Sequence, residues 1–205
     1  NADTFDDFVQ DATDVQSSRS ARRSRPMHDE HTGADRLSKL MARYGAGEEA
    51  VFDELYTMLA PRIYRFCLRL TLRPSEADDC FQEPFLRLHR ARATYMPGSN
   101  ALYWTFAIAR SVYLSRLRYW RRRPERLGDV HDVAEQDALL PTDATSPESE
   151  TLAAHMLDIV TDELGKMSEK NRSAYVLLKE ENLSVRDAAM LLGTTTDVVK
   201  QRAHR

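Results

Sequence analysis

From Val51 to Leu117 large apolar residues return every third or fourth position, and nowhere does the chain show the strict alternation of a half-buried strand. Val51, Phe52, Leu55, Met58, Leu59, Ile63, Phe66, Cys67 and Leu70 form one such stripe. It predicts an amphipathic helix between Gly47 and Leu72, kinked or restarted at Pro61. Pro74-Ser75 reads as a stop followed by an N-cap, with Asp78 as a variant capping box ahead of Cys80, Phe81, Phe85 and Leu88. After the turn signal Met96-Pro97-Gly98, Ser99 is placed to cap a long helix that buries Leu102, Phe106, Ala109, Val112, Tyr113 and Leu117. Leu152, Met156, Ile159, Val160 and Leu164 form a further stripe, Ala174 to Leu178 the next, and two short helices end the chain. The fold class is all-α, without internal repeats.

Charge divides this helical chain. The net charge of the 205 residues is only -3, which by itself points to no nucleic-acid partner. Residues 1–34 carry 7 acids and 4 arginines; residues 35–125 carry 16 basic and 10 acidic groups, net +6; residues 126–149 carry 1 basic and 6 acidic groups; the remainder is net -1. A basic module at 35–125, an acidic, proline-containing, flexible linker at 126–150 and a second module at 151–205 follow. The tail 1–34, poor in large apolar groups, is expected to be disordered. The chain lacks an initial Met and stops at Arg205 inside a helical pattern, so the second module is expected to be truncated at its C-terminus. No apolar run reaches the roughly 18 residues of a membrane span, and the acidic first residues do not form a signal peptide. Cys67 and Cys80 have no CxxC spacing, which argues against a disulfide framework and fits a cytoplasmic protein.

Leu183 to Lys200 has helix-turn-helix logic: Ser184 as a cap, small Ala189 at the crossing, Gly193 for a left-handed turn, and Val199 to lock the second helix. With Thr195 or Thr196 as N-cap, that helix presents Asp197, Lys200, Gln201 and His204 toward a major groove, with Arg202 and Arg205 near phosphates. In the basic module, 7 of the 17 aromatic residues lie between Tyr95 and Trp120, interleaved with Arg110, Arg116, Arg118, Arg121, Arg122 and Arg123. Rings that stack on unpaired bases beside guanidinium groups that neutralise phosphates suit strand-separated nucleic acid. Phe106, Trp104 and Tyr113 read as core; Tyr95 and Tyr119 read as surface candidates.

Three stretches together resemble one family. Ala77-Asp78-Asp79-Cys80-Phe81-Gln82-Glu83-Pro84-Phe85-Leu86-Arg87-Leu88 looks like region 2.2 of a sigma factor, Trp104-Thr105-Phe106-Ala107-Ile108-Ala109-Arg110 like regions 2.3 to 2.4, and Leu183 to Arg205 like region 4.2. Over residues 35–205 the chain resembles a bacterial extracytoplasmic-function sigma factor of the sigma-70 class. The resemblance implies two small helical domains, a region 2 bundle and a region 4 helix-turn-helix. It implies as partners core RNA polymerase, through its β′ and β subunits, promoter DNA and an anti-sigma factor, with no cofactor and no metal. Asp79, Gln82, Glu83 and Arg87 would face core polymerase. Tyr95, Ser99 and Asn100, with Arg110, Arg116, Arg118 and Tyr119, would read and open the -10 element, the loop Tyr95 to Asn100 receiving a flipped base. Thr195, Thr196, Asp197, Lys200, Gln201, Arg202, His204 and Arg205 would read the -35 element. The acidic linker resembles one that threads the polymerase's RNA channel; its charge also suits a plain tether. Pro84 stands where the family usually has a helix-compatible residue, and a kink is expected there.

An enzyme is a poor alternative, because the six histidines are scattered and no phosphate-cradling glycine loop or nucleophile–base pair occurs among the 7 glycines. His28 and His31 have metal-ligand spacing but lie in the tail. The other alternative is a helix-turn-helix regulator that binds duplex DNA without polymerase.

Overall fold

The structure is a computed structural model that describes residues 30–122 and 159–204. Most of the predicted tail, the side chain of His31, Arg123, the linker 126–150, Leu152, Met156 and Arg205 lie outside the described residues, so the expectations placed on them do too.

The described residues are helical and contain no strand. The first body consists of α1 (Glu30–Gly45), α2 (Phe52–Thr71), α3 (Pro74–Ala91) and α4 (Ala101–Arg121), with 3-10 turns at Glu49–Val51 and Arg92–Thr94. The second comprises a helical stretch at 159–166, α5 (Glu169–Tyr175) continuing into a π turn at Val176–Glu180, then α6 (Val185–Leu192) and α7 (Thr196–Ala203).

Helix α1 starts inside the predicted tail. Its Leu37, Leu40, Met41 and Tyr44, spaced i, i+3, i+4 and i+7, are all buried. Gly45 ends it against the backbone of the Arg92 turn, where an added Cβ would come within 2.8 Å of the Arg92 carbonyl oxygen. Helix α2 buries Leu55, Leu59, Ile63, Phe66, Cys67 and Leu70 and runs through Pro61 without ending or restarting.

Two caps differ from the sequence reading. Helix α3 begins with Pro74 as its first residue, Arg73 being the extended N-cap, so Ser75 lies in the first turn and caps nothing. Proline disfavours a helical conformation in the residue before it, and its own fixed φ suits the first helical position. Helix α4 is capped by Asn100 rather than Ser99. The Asn100 side-chain oxygen accepts from the amides of Leu102 at 3.0 Å and Tyr103 at 3.3 Å. The Ser99 amide donates to the Met96 carbonyl at 3.0 Å, which keeps Ser99 within the preceding turn. Pro84 is buried within α3, which continues unbroken to Ala91.

Every residue from Ala101 to Ala109 is buried, as expected for a helix enclosed on all sides. Phe106 meets Phe66 with ring centroids 5.1 Å apart. The second body packs on this framework, α5 against α2 and α6 against α4, and the buried core runs through both bodies. Charge reinforces the contact. Glu181, fully buried, accepts from Arg62 Nε at 2.8 Å and Arg65 Nε at 3.3 Å, and its carbonyl accepts from Arg62 Nη2 at 3.0 Å. Arg69 Nε donates to Glu180 at 3.2 Å. From the other side, Arg172 Nη2 donates to the Leu70 carbonyl at 3.0 Å.

Candidate nucleic-acid and docking interfaces

The helix-turn-helix is built by local turn chemistry. Ser184 Oγ accepts from the Asp187 amide at 3.0 Å and starts α6. Gly193 closes it at φ 61°, ψ 44°, the left-handed conformation in which a side chain is strained. Thr195 Oγ1 accepts from the Val198 amide at 3.4 Å and starts α7. Val199 is fully buried and Ala189 nearly so, which fixes the crossing of α6 and α7. Thr195 is therefore the cap, and the outward set separates cleanly: Thr195, Thr196, Asp197, Lys200, Gln201 and His204 are exposed and Arg202 is half-buried. An exposed helix with four donor- or acceptor-bearing side chains on successive turns has the form of a major-groove reader.

The first body's predicted nucleic-acid surface is only partly open. Tyr95 is not a surface ring: it is 5% exposed, its hydroxyl donates to the Ser99 carbonyl at 2.6 Å, and its ring meets Trp104 edge-on at 5.4 Å. Burial pushes its phenol up to about 12. It shapes the loop from inside. Ser99 is half-buried and Asn100 exposed at the loop's end, where the Asn100 amide nitrogen lies 3.5 Å from Asp187 Oδ2 on α6.

Along α4, Trp104, Phe106 and Tyr113 are core, as the sequence indicated. Tyr119 is 37% exposed. Arg118, Arg121 and Arg122 are exposed and Arg116 half-buried, so the basic face lies at the C-terminal end of α4. Arg118 Nε and Arg122 Nε donate back to carbonyls one turn earlier, those of Leu114 and Arg118. Arg110 is half-buried, and burial lowers its pKa against the opposing pull of the Glu169 carboxylate on α5. It lies where the two bodies meet.

On α3 the four predicted docking residues fall into two pairs. Asp79 and Gln82 are exposed, one turn apart. Glu83 and Arg87 are half-buried and bonded to each other at 2.9 Å, and Arg87 Nη1 reaches Ser111 Oγ on α4 at 3.3 Å, bracing the two helices. Beside Gln82 opens a groove of about 510 Å³, lined among others by Phe52, Tyr56, Phe81, Phe85 and Leu86. Its far edge is polar, with Glu49, Asp53 and His89, whose Nδ1 is hydrogen-bonded to Tyr44 at 2.5 Å. Leu86 is 53% and Tyr56 40% exposed. Neither was singled out from sequence, although Leu86 falls outside the buried stripe of Phe81, Phe85 and Leu88, a signal that it faces outward.

Comparison with known proteins identifies the family. The family description sigma-70 region 2 matches residues 55–123, which include α3 and α4. The RNA polymerase sigma factor CarQ of Myxococcus xanthus is 30% identical over 166 residues, covering 80% of this chain and 90% of the relative. The extracytoplasmic-function (ECF) sigma factor SigW of Bacillus subtilis is 23% identical over 174 residues, covering 82% and 91%. Among solved structures, CnrH in complex with the cytosolic domain of CnrY matches with a TM-score of 0.57 at 21% identity, over 82% of this chain and 90% of that one. The sigma factor RpoE of Bartonella quintana, in complex with the anti-sigma factor NepR, matches with a TM-score of 0.54 at 22% identity, over 75% and 90%. With its region 2 helices, its helix-turn-helix and a relative of this similarity along most of its length, the chain belongs to the extracytoplasmic-function branch of the sigma-70 family, RNA polymerase sigma factors that act in transcription initiation rather than as catalysts.

Proposed function

We propose that this sigma factor divides its work among three surfaces of the fold. The groove side of α3 docks on core RNA polymerase, with Asp79 and Gln82 as polar contacts and Leu86, Phe85 and Tyr56 as the apolar seat. The loop ending at Asn100 and the basic end of α4, with Arg116, Arg118 and Tyr119, engage the -10 element as its strands part. Helix α7 reads the -35 element through Thr196, Lys200, Gln201 and His204, and Arg202 lies close enough to its exposed face to reach a phosphate. Tyr95 supports the loop from the core, while Glu83 and Arg87 hold α3 in place.

The observation that carries this reading is an exposed recognition helix and an open aromatic groove on separate bodies of one chain. Work in the cytoplasm and control by an anti-sigma factor belong to the same reading; the latter is supported by the solved complex of RpoE with NepR.

The test is copurification with core polymerase followed by transcription in vitro. Core enzyme plus this chain is expected to give promoter-specific transcripts, and Gln82→Ala with Leu86→Asp is expected to lose core binding while keeping wild-type helicity. Specific duplex binding by the chain alone, with no affinity for core, would establish the helix-turn-helix regulator instead.

A further inference from the structure

Helix α7 turns one stripe of side chains outward. At about 100° per residue, Asp197, Lys200, Gln201 and His204 fall within an arc of roughly 100°. All four are exposed, while Val199 and Ala203 point away from them and are buried. Among the described residues none of the four makes a hydrogen bond or an ion pair. The carboxylates of Glu83, Glu180 and Glu181 are each matched to a guanidinium group. Asp197 is thus an unmatched negative charge, and it sits at the second residue of a helix assigned above to a polyanion. That end of a reading helix is the one from which base edges are reached.

We infer that Asp197 selects the base at its own step of the -35 element, and that this base is cytosine. The assignment deepens the role given to α7 under Proposed function and rests on it. A carboxylate accepts hydrogen bonds and donates none, and phosphate oxygens repel it, so its place on this face is favourable only against a donor. The floor of the major groove presents two donors, the N4 amino group of cytosine and the N6 amino group of adenine. Adenine sets its amino group beside the N7 acceptor, which faces the same carboxylate; cytosine has only a C–H at the neighbouring position. Guanine offers the acceptors N7 and O6, and thymine an acceptor and a methyl group, so neither donates there. Lys200 lies one turn on, about 4.5 Å along the axis, and its ammonium on the same face offsets the repulsion between the carboxylate and the DNA backbone. Asp197 also lies in the first turn of α7, where a negative charge favours the helix dipole. Base preference separates the two roles: a purely structural carboxylate changes the melting temperature and leaves the order of preferred bases as it was.

The experiment uses the full chain with core RNA polymerase and a duplex library randomised across the upstream and downstream promoter elements, the holoenzyme-bound DNA being sequenced. The wild type is expected to enrich cytosine over each other base by roughly fivefold or more at one upstream position. Asp197→Ala is expected to lose that preference while the neighbouring positions keep theirs. Asp197→Asn, whose amide both donates and accepts, is expected to move the preference to adenine, which takes such a bidentate pair. Circular dichroism melts of the same variants report the structural contribution.

No cytosine preference in the wild type, or an unchanged base order in both variants, would overturn the cytosine contact whatever the melting temperature does. So would variants that bind every duplex more tightly in the same base order, the mark of a carboxylate that only repels phosphate. Lys200→Ala with Gln201→Ala separates the two levels. If that pair alters upstream selection while the Asp197 variants do not, only the cytosine contact fails. If neither alters it, α7 is not the reader of the -35 element, and the cytosine contact fails together with that reading.

Discussion

Tyr95 sits where a stacking ring was expected, yet it is buried, with its hydroxyl bonded to the Ser99 carbonyl and its ring packed edge-on with Trp104. Tyr95→Phe is therefore expected to act on stability: losing the bond to the Ser99 carbonyl should lower the unfolding free energy by about 1 kcal/mol in urea titration. Whether an aromatic ring points in or out depends on tertiary neighbours, which is why sequence placed Phe106 and Tyr113 correctly and Tyr95 not. Turn residues behave differently, because their chemistry is local. Gly193 and Ser184 were legible, and Thr195 was one of two named caps. Gly193→Ala, with nothing within 4 Å of the added methyl, meets only backbone strain, and should cost about 1–2 kcal/mol by the same measurement. The cysteines offer a pH test. Burial raises the Cys80 thiol from 9.0 to about 12, and raises Cys67 as well. An acid whose folded pKa is raised contributes stability fully below its unfolded value and loses it as pH climbs through the folded one. Stability should thus be insensitive to these thiols below about pH 9 and fall between 9 and 12, and neither thiol should react with iodoacetamide at pH 8 until denaturant is added.

Among the helices, α2 and the helix-turn-helix followed from periodicity and punctuation, whereas α1 did not enter the sequence reading despite carrying the same spacing at Leu37, Leu40, Met41 and Tyr44. The acidic and arginine-rich residues before it masked a stripe that needs α2 and α4 to bury it. Helix α3 absorbs Pro84 because the ring is buried and the turns on both sides are packed. Pro84→Ala restores a backbone donor and removes a steric conflict worth about 3 kcal/mol, against about 1.6 kcal/mol for two lost buried methylenes. The variant should gain about 1–2 kcal/mol in chemical denaturation. Its affinity for core polymerase then reports whether the proline also shapes the groove proposed for docking.

At the scale of the whole chain, the charge blocks predicted two modules but gave no sign that they pack together. Arg62 and Glu181 are 119 residues apart, and no periodicity links them. The shared core predicts joint unfolding. Trp104 and Trp120 both lie in the first body, so fluorescence reports that body alone while far-ultraviolet circular dichroism reports both. Thermal curves from the two should coincide in the wild type and separate in Arg65→Glu with Arg69→Glu. The π turn at Val176–Glu180, where the Glu181 amide bonds back five residues to the Val176 carbonyl at 3.0 Å, adds a consequence of its own. Successive residues of an α-helix are about 100° apart around the axis, and a wider winding narrows that angle and brings neighbouring side chains nearer the same azimuth. Removing one residue from this stretch would tighten the coil to ordinary pitch and swing both carboxylates, and everything downstream, out of phase with α2. The orientation of the helix-turn-helix is therefore encoded in a residue count as much as in residue identity.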